Sequence, residues 1–151
     1  MIQELKISDK FYKSLYSANE FREKITSIQN EMLEMSGVMT AKDKEEYVNH
    51  TFLKNQYIRD LFIPKGEIFI TKIHKVEHPF FLLTGEISIL SEIGKLRVSA
   101  PYYGITKVGT KRGIYAHKDS IFVTVHPTDK KDLNEIEDEL IAKNYKELEE
   151  V

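Results

Sequence analysis

The side chains best able to do chemistry concentrate in one stretch, "PKGEIFITKIHKVEHPFFLLTGE", residues 64–86. Within it stand Lys72, His74 and His78, with Gly66 before them and Gly85 after. Along an extended strand alternate side chains share a face, so Ile70, Lys72 and His74 are expected to point one way and Thr71, Ile73 and Lys75 the other. His78 would join the first group after the turn at "KVE". A later stretch, "KVGTKR" at residues 107–112, adds Arg112. Protonated lysine cannot ligate a metal, and arginine cannot at any ordinary pH. Two fixed cations repel a divalent ion and attract a phosphate or carboxylate. Lys72, His74, His78 and Arg112 together therefore point to a small anionic ligand, a nucleotide being one candidate. Gly109 and Gly113 flank a turn that can offer backbone N–H groups to an anion. Tyr102 and Tyr103 offer ring faces to a base or sugar, and His126 is a further ligand-binding candidate. If a metal is held instead, His74, His78 and His126 supply three nitrogens and Glu77 a carboxylate, a set that suits iron, manganese or nickel. Against both readings stands a purely structural one. His117 and His126 would then be hydrogen-bonded framework groups, and Glu77, Glu86 and Asp119 internal partners for the cations.

The elements that must position these groups change period along the chain. Residues 17–36 place Phe21, Ile25, Ile28, Met32 and Met35 at helical spacing, with Ser17 or Asn19 as cap and Gly37 as stop. A second short helix is expected over "AKDKEEYVNHTF". From residue 56 to 128 the runs "QYIRDLFIP", "GEIFITKIH", "PFFLLTGEISIL", "KLRVSAP", "RGIYAHKD" and "SIFVTVHP" are short, β-branched or aromatic, and separated by Gly, Pro or Asp. Strands that close together, without intervening helices, read as an antiparallel sandwich or barrel. After Pro127 helical spacing returns, with Leu133, Ile136, Leu140 and Ile141 on one stripe and Asp129 or Asp132 as cap. The expected organisation is one compact domain. It comprises an N-terminal helical segment (1–55), a β-barrel (56–128) and an acidic amphipathic C-terminal helix (129–151).

Composition narrows the function classes. The 151 residues hold no cysteine, which removes disulfides, thiolate nucleophiles and Cys-ligated metals. Charge is uneven: residues 55–128 carry 10 Lys+Arg against 6 Asp+Glu, whereas residues 129–151 carry 4 against 9. The basic middle suits an anionic ligand, but without Arg-rich clusters it does not suit duplex nucleic acid. No apolar run has the length of a membrane span and the first residues carry no basic-then-apolar leader, so a cytoplasmic location is expected.

The spacing Gly66, Lys72-x-His74, His78, Gly85 resembles the first motif of the cupin superfamily, Gly, five residues, His-x-His, three or four residues, Glu, six residues, Gly. Lys72 stands where that family has its first His and His78 where it has Glu; His74 is retained. The second motif, Pro-x-Gly-x-x-His, is matched by residues 107–112, with Lys107 for Pro and Arg112 for the metal-ligating His. The resemblance covers about residues 56–128 and implies a small antiparallel cupin-like barrel, or jelly roll, commonly paired as a homodimer or higher homo-oligomer. The 17–36 helix would offer the apolar face for that pairing. "YIRDLFIPKGE", "GTKRGIYAHKD" and "TVHPTD" followed by an acidic helix look like small phage- and prophage-encoded cupin-like proteins. The first expectation is a non-catalytic, cofactor-free protein whose barrel or dimer interface captures the anionic ligand; the phage resemblance implies one version of it, sequestration of a host nucleotide signal in a host cytoplasm as a counter-defence role. A metal-dependent oxygenase or isomerase, and a structural or assembly protein, are the alternatives from other classes.

Overall fold

The computed structural model describes residues 11–12, 17–35 and 45–149. Its first helix, α1 (Ala18–Glu34), begins where the sequence places it. Ser17 sits in extended backbone and caps it through a reciprocal capping box, the Glu20 N–H donating to Ser17 Oγ and the Ser17 N–H to Glu20 Oε2 at 2.7 Å. Phe21 and Ile25 are buried, whereas Ile28 and Met35 are exposed. The half of the apolar stripe expected to meet a second copy is therefore partly spent within the chain. Gly37, expected to end this helix, lies outside the described residues.

The expected second helix is not formed over its described part. Residues Glu45–Tyr47 make one 3-10 turn, and "VNHTFL" is strand β2 (Val48–Leu53). The β-branched and aromatic residues of this run pair against β3 (Gln56–Ile63) across a tight turn with Asn55 at positive φ. Tertiary pairing overrides the weak helical pattern.

β4 (Ile68–Ile70), β5 (Ile73–His74), β6 (His78–Thr84), β7 (Glu86–Ser91), β8 (Gly94–Ser99), β9 (Tyr102–Thr106), β10 (Gly113–Ala116) and β11 (Ser120–Pro127) follow. Apart from β5, these strands together with β1 (Phe11–Tyr12), β2 and β3 form two five-stranded antiparallel sheets, in the orders β1-β8-β7-β10-β4 and β2-β3-β11-β6-β9. The run "PFFLLTGEISIL" supplies two strands. They are joined at Gly85, whose φ of +87° suits the turn and whose missing Cβ would collide with Ser120. Leu61, Leu82, Ile87, Leu96, Val98, Ile114 and Phe122, drawn from both sheets, make one core. Each fully buried aliphatic side chain contributes about 1.5–3 kcal/mol. The result is a cupin-like jelly roll built as two facing sheets, not as a closed barrel.

The C-terminal segment is likewise not one helix. α2 (Leu133–Leu140), capped by the Asp132 carboxylate, gives way to β12 (Ile141–Ala142) and then to α3 (Lys146–Glu149). Ile141 pairs with His74 and Ala142 with Ile73, so the chain leaves the helix to extend the β5 edge. Ile136 and Leu140 pack on Tyr57, with Phe52, Val76 and Ile141 beside them. This satellite core fixes α2 over one end of the second sheet. Among the described residues no helix is long and apolar enough to cross a membrane.

Candidate functional site

The inner face of the second sheet is organised in cross-strand rows. Arg59 on β3 pairs in register with His50 on β2 and Thr124 on β11, and Thr124 pairs in turn with Phe80 on β6 and Phe80 with Gly104 on β9. Two residues along each strand lies a second row, in which Tyr57 pairs with Phe52 and with His126, and His78 with Thr106. Period-two alternation thus delivers Arg59, Thr124, His126, His78 and Thr106 to the same side of the sheet. Gly104 matters here for its lack of a side chain. A Cβ there would lie 2.6 Å from Phe80 Cζ, so glycine lets the Phe80 ring lie across the β9 backbone.

Phe80 carries the centre of the site. The Arg112 guanidinium sits 4.7 Å above its ring centroid and 5.9 Å from that of Phe122, and one Nη donates to Thr106 Oγ1. Arg112 is 4% exposed, and its Nε has no hydrogen-bond partner. Its backbone is pinned to the first motif, since Arg112 N–H donates to Thr71 Oγ1 at 3.0 Å and Thr71 N–H to the Arg112 carbonyl at 2.9 Å. Gly109 N–H donates to the His74 carbonyl at 2.8 Å, which ties the two motif segments together. Consequently the turn between Gly109 and Gly113 is not an open anion nest, because the N–H groups of Gly109, Thr110 and Arg112 are already engaged.

Beside Arg112 three imidazoles cluster. Ring centroids are 4.5 Å apart for His74 and His78, 4.2 Å for His78 and His126, and 5.9 Å for His74 and His126. His78 Nδ1 donates to the Val76 carbonyl at 3.0 Å, which leaves Nε2 a bare lone pair, buried and without a partner. His74 Nδ1 is likewise buried and unpartnered, while His126 Nε2 lies 2.9 Å from Thr124 Oγ1. Burial, then the neighbouring His78, Arg112 and His126, push the His74 pKa down to about 3. Burial, then His78 and Arg59, push His126 to about 3 as well, and burial followed by Arg112 lowers His78. All three are neutral at pH 7. Burial lowers Arg112 only to about 10, so it keeps its charge.

Several sequence expectations require correction. Lys72 does not join the cluster. The strand breaks at Thr71 and Lys72 between β4 and β5, the alternation loses phase, and Lys72 is exposed with Nζ 2.5 Å from Glu137 Oε1 on α2. Glu77 is also exposed, held by Lys107 at 2.7 Å, and stands outside the cluster. Tyr102 is spent in the core against Phe80, and Tyr103 faces the other side of the sheet beside Phe81. His117 lies apart, 2.7 Å from Ser88 Oγ and edge-on to Tyr115. Glu86 is engaged by Arg97, Ser99 and Lys118, and Asp119 Oδ1 accepts from the Lys65 N–H. Neither reaches Arg112.

The set also fails the test for a metal. A guanidinium occupies the same cluster, and its fixed charge repels a divalent ion. Among the described residues no three His, Asp or Glu side chains are arranged to hold a metal ion.

Arg59, Thr124, Thr106, Phe80 and Gly104 were not singled out by the sequence reading. The signal for Arg59 was available: it falls on the same parity as Tyr57, Leu61 and Ile63, all buried.

No family model matches the chain, and no curated protein matches it. Similar solved structures include ectoine synthase from P. lautus, at 17% identity and TM-score 0.49, covering 61% of this chain and 70% of that one. KdgF from Halomonas sp. is similar at 14% identity and TM-score 0.48, covering 65% and 94%. A cupin-2 domain containing protein from Shewanella frigidimarina is similar at 12% identity and TM-score 0.45, covering 60% and 95%.

Proposed function

We propose that this protein is a non-catalytic binding protein whose inner cluster captures a small anionic ligand, with Arg112 as the anchoring cation. One observation carries the reading: a 4% exposed guanidinium with no carboxylate partner among the described residues and an unpartnered Nε. An isolated buried charge is strongly unfavourable unless paired and hydrogen-bonded. The aromatic faces of Phe80 and Phe122 and the Thr106 hydroxyl offset part of this. A carboxylate or phosphate oxygen supplies the missing acceptor. Neutral imidazoles at the same place offer N–H donors or lone pairs to the rest of the ligand.

The nucleotide version of this reading, including capture of a host signal by a phage-encoded protein, also needs a place for a base. Tyr102 is committed to the core and Tyr103 faces away. We therefore carry the reading forward as a compact anion. The metal-dependent enzyme reading lacks converging ligands, and no observation favours the assembly reading over this one.

The test uses Arg112→Met, which keeps the stem and removes the charge. Calorimetric titration with acetate and with inorganic phosphate should show binding to wild type weakened at least tenfold in the variant, since a charge-assisted hydrogen bond contributes about 1.5–3 kcal/mol. The variant should also unfold at the same or a higher temperature, because it deletes an unpaired buried charge. Arg112→Met that binds both anions as wild type does, or that is destabilised by several kcal/mol, would make Arg112 a structural group.

A further inference from the structure

Arg112 is not the only cation that the inner face withholds from an acid. Arg59 lies on the inward parity of β3, between buried Tyr57 and buried Leu61, and its own side chain is half-buried. It has no hydrogen bond and no ion pair among the described residues. Its cross-strand neighbours are His50 and Thr124, and Tyr57, two positions away, donates or accepts only toward His50 Nδ1 at 2.7 Å. The acid nearest to it in sequence, Asp60, is on the opposite parity and points to the outer face.

The strand order separates the two cations, with Arg59 on β3 and the Phe80 ring that Arg112 covers on β6. Arg59 neighbours His126, and Arg112 neighbours His74 and His78. Between Arg59 on β3 and the Phe80 ring beneath Arg112 on β6 lies only β11, which is two inter-strand spacings, roughly 10 Å. The Thr124 hydroxyl and the His126 ring occupy that interval. A ligand with one charge satisfies one end of this arrangement and leaves the other cation unpaired.

Resting on the anion-binding reading above, we propose that the ligand is a compact bis-anion, a dicarboxylate or a phosphorylated carboxylate, with one acidic group on Arg112, the other on Arg59, and a short polar span facing Thr124 and His126. Two separated cations select such a molecule over a single phosphate or monocarboxylate, because each end contributes its own charge-assisted contact. His78 Nε2, a bare lone pair beside the span, can then accept from a hydroxyl of the ligand.

The experiment is calorimetric titration of the full chain with acetate, succinate, glutarate, inorganic phosphate and phosphoglycolate, using wild type, Arg59→Gln and Arg59→Lys. The readout is the ratio of affinities, bis-anion over the matched single-charge probe. Wild type should bind at least one of succinate and glutarate tenfold or more tightly than acetate, and phosphoglycolate more tightly than phosphate. Arg59→Gln should bring these ratios close to one, and Arg59→Lys, which keeps the charge, should retain part of the preference. Wild-type ratios near one, or an Arg59→Gln ratio equal to wild type, would overturn the bis-anion proposal while acetate or phosphate binding left the simpler reading standing. Absence of binding by every probe would remove both.

Discussion

Acidification from pH 7.5 to pH 5 should destabilise the fold by an amount the histidine cluster sets. His74 and His126 have folded pKa values of about 3, against 6.5 for an exposed histidine. A depressed folded pKa means that the unfolded chain binds the proton more readily. The stabilising contribution is complete above pH 6.5 and is lost as the pH falls toward 3. Treated as two independent groups, each loses about 2 kcal/mol between pH 7.5 and 5, or on the order of 4 kcal/mol together. That is a large part of the 5–15 kcal/mol typical of a whole domain. His78, and outside the cluster His50 and His117, are also lowered, each first by burial, and steepen the same slope. Glu20, Glu86 and Glu147, held below the usual carboxylate range by hydrogen bonds from Ser17, Arg97 and the Lys143 backbone, act only below about pH 4.5 and fall outside the window. Urea unfolding at half-unit pH steps measures the effect. His126→Gln, which keeps a partner for Thr124 but cannot titrate, should remove about half of the slope. Stability that is flat from pH 7.5 to 5, or a His126→Gln variant that follows the wild-type curve, would refute the burial of neutral imidazoles.

Two further outcomes follow from packing and from surface charge. Gly104→Ala drives a methyl group to 2.6 Å from the Phe80 ring, which also packs on Phe122 and supports Arg112. It should cost about 1–3 kcal/mol in urea unfolding and weaken anion binding in the same protein. Lys72→Ala breaks only an exposed pair with Glu137, so stability should change by less than about 1 kcal/mol and calorimetric anion affinity should stay at the wild-type value.

Much of the fold is legible because it is local. The Ser17 capping box, the helical stripe through Phe21 and Ile25, and the runs that became β3, β6 to β8, β10 and β11 are written as spacing and turn residues. What was not legible depends on distant partners. β2 is a strand because β3 lies beside it, and the helix after Asp132 ends at Leu140 because Ile141 pairs with His74. The candidate site divides in the same way. Motif spacing brought His74, His78 and Arg112 to one place, and His126 joins them across the sheet. Strict alternation would place Lys72 beside His74, but the strand breaks between Ile70 and Ile73. Arginine in a strand is ordinarily an outward residue, and only the parity of Arg59 with Tyr57 and Leu61 marks it as inward.

Residue type, more than position, then determines what the cluster can do. The backbone framework that joins the two motifs is intact, with Thr71 bonded to Arg112 and His74 to Gly109. A carboxylate at position 78 and an imidazole at position 112 would offer lone pairs at that place. The chain instead has an imidazole at 78 and a guanidinium at 112, so the same framework now presents positive charge. Gly104 opens room for Phe80, Phe80 supports Arg112, and the histidines' own burial, with the Arg112 charge a lesser cause for His74 and His78, keeps them neutral. With the imidazoles neutral, Arg112 and Arg59 are the charges an incoming anion meets. Affinity for a ligand already ionised should therefore follow these arginines and not histidine protonation between pH 6 and 8.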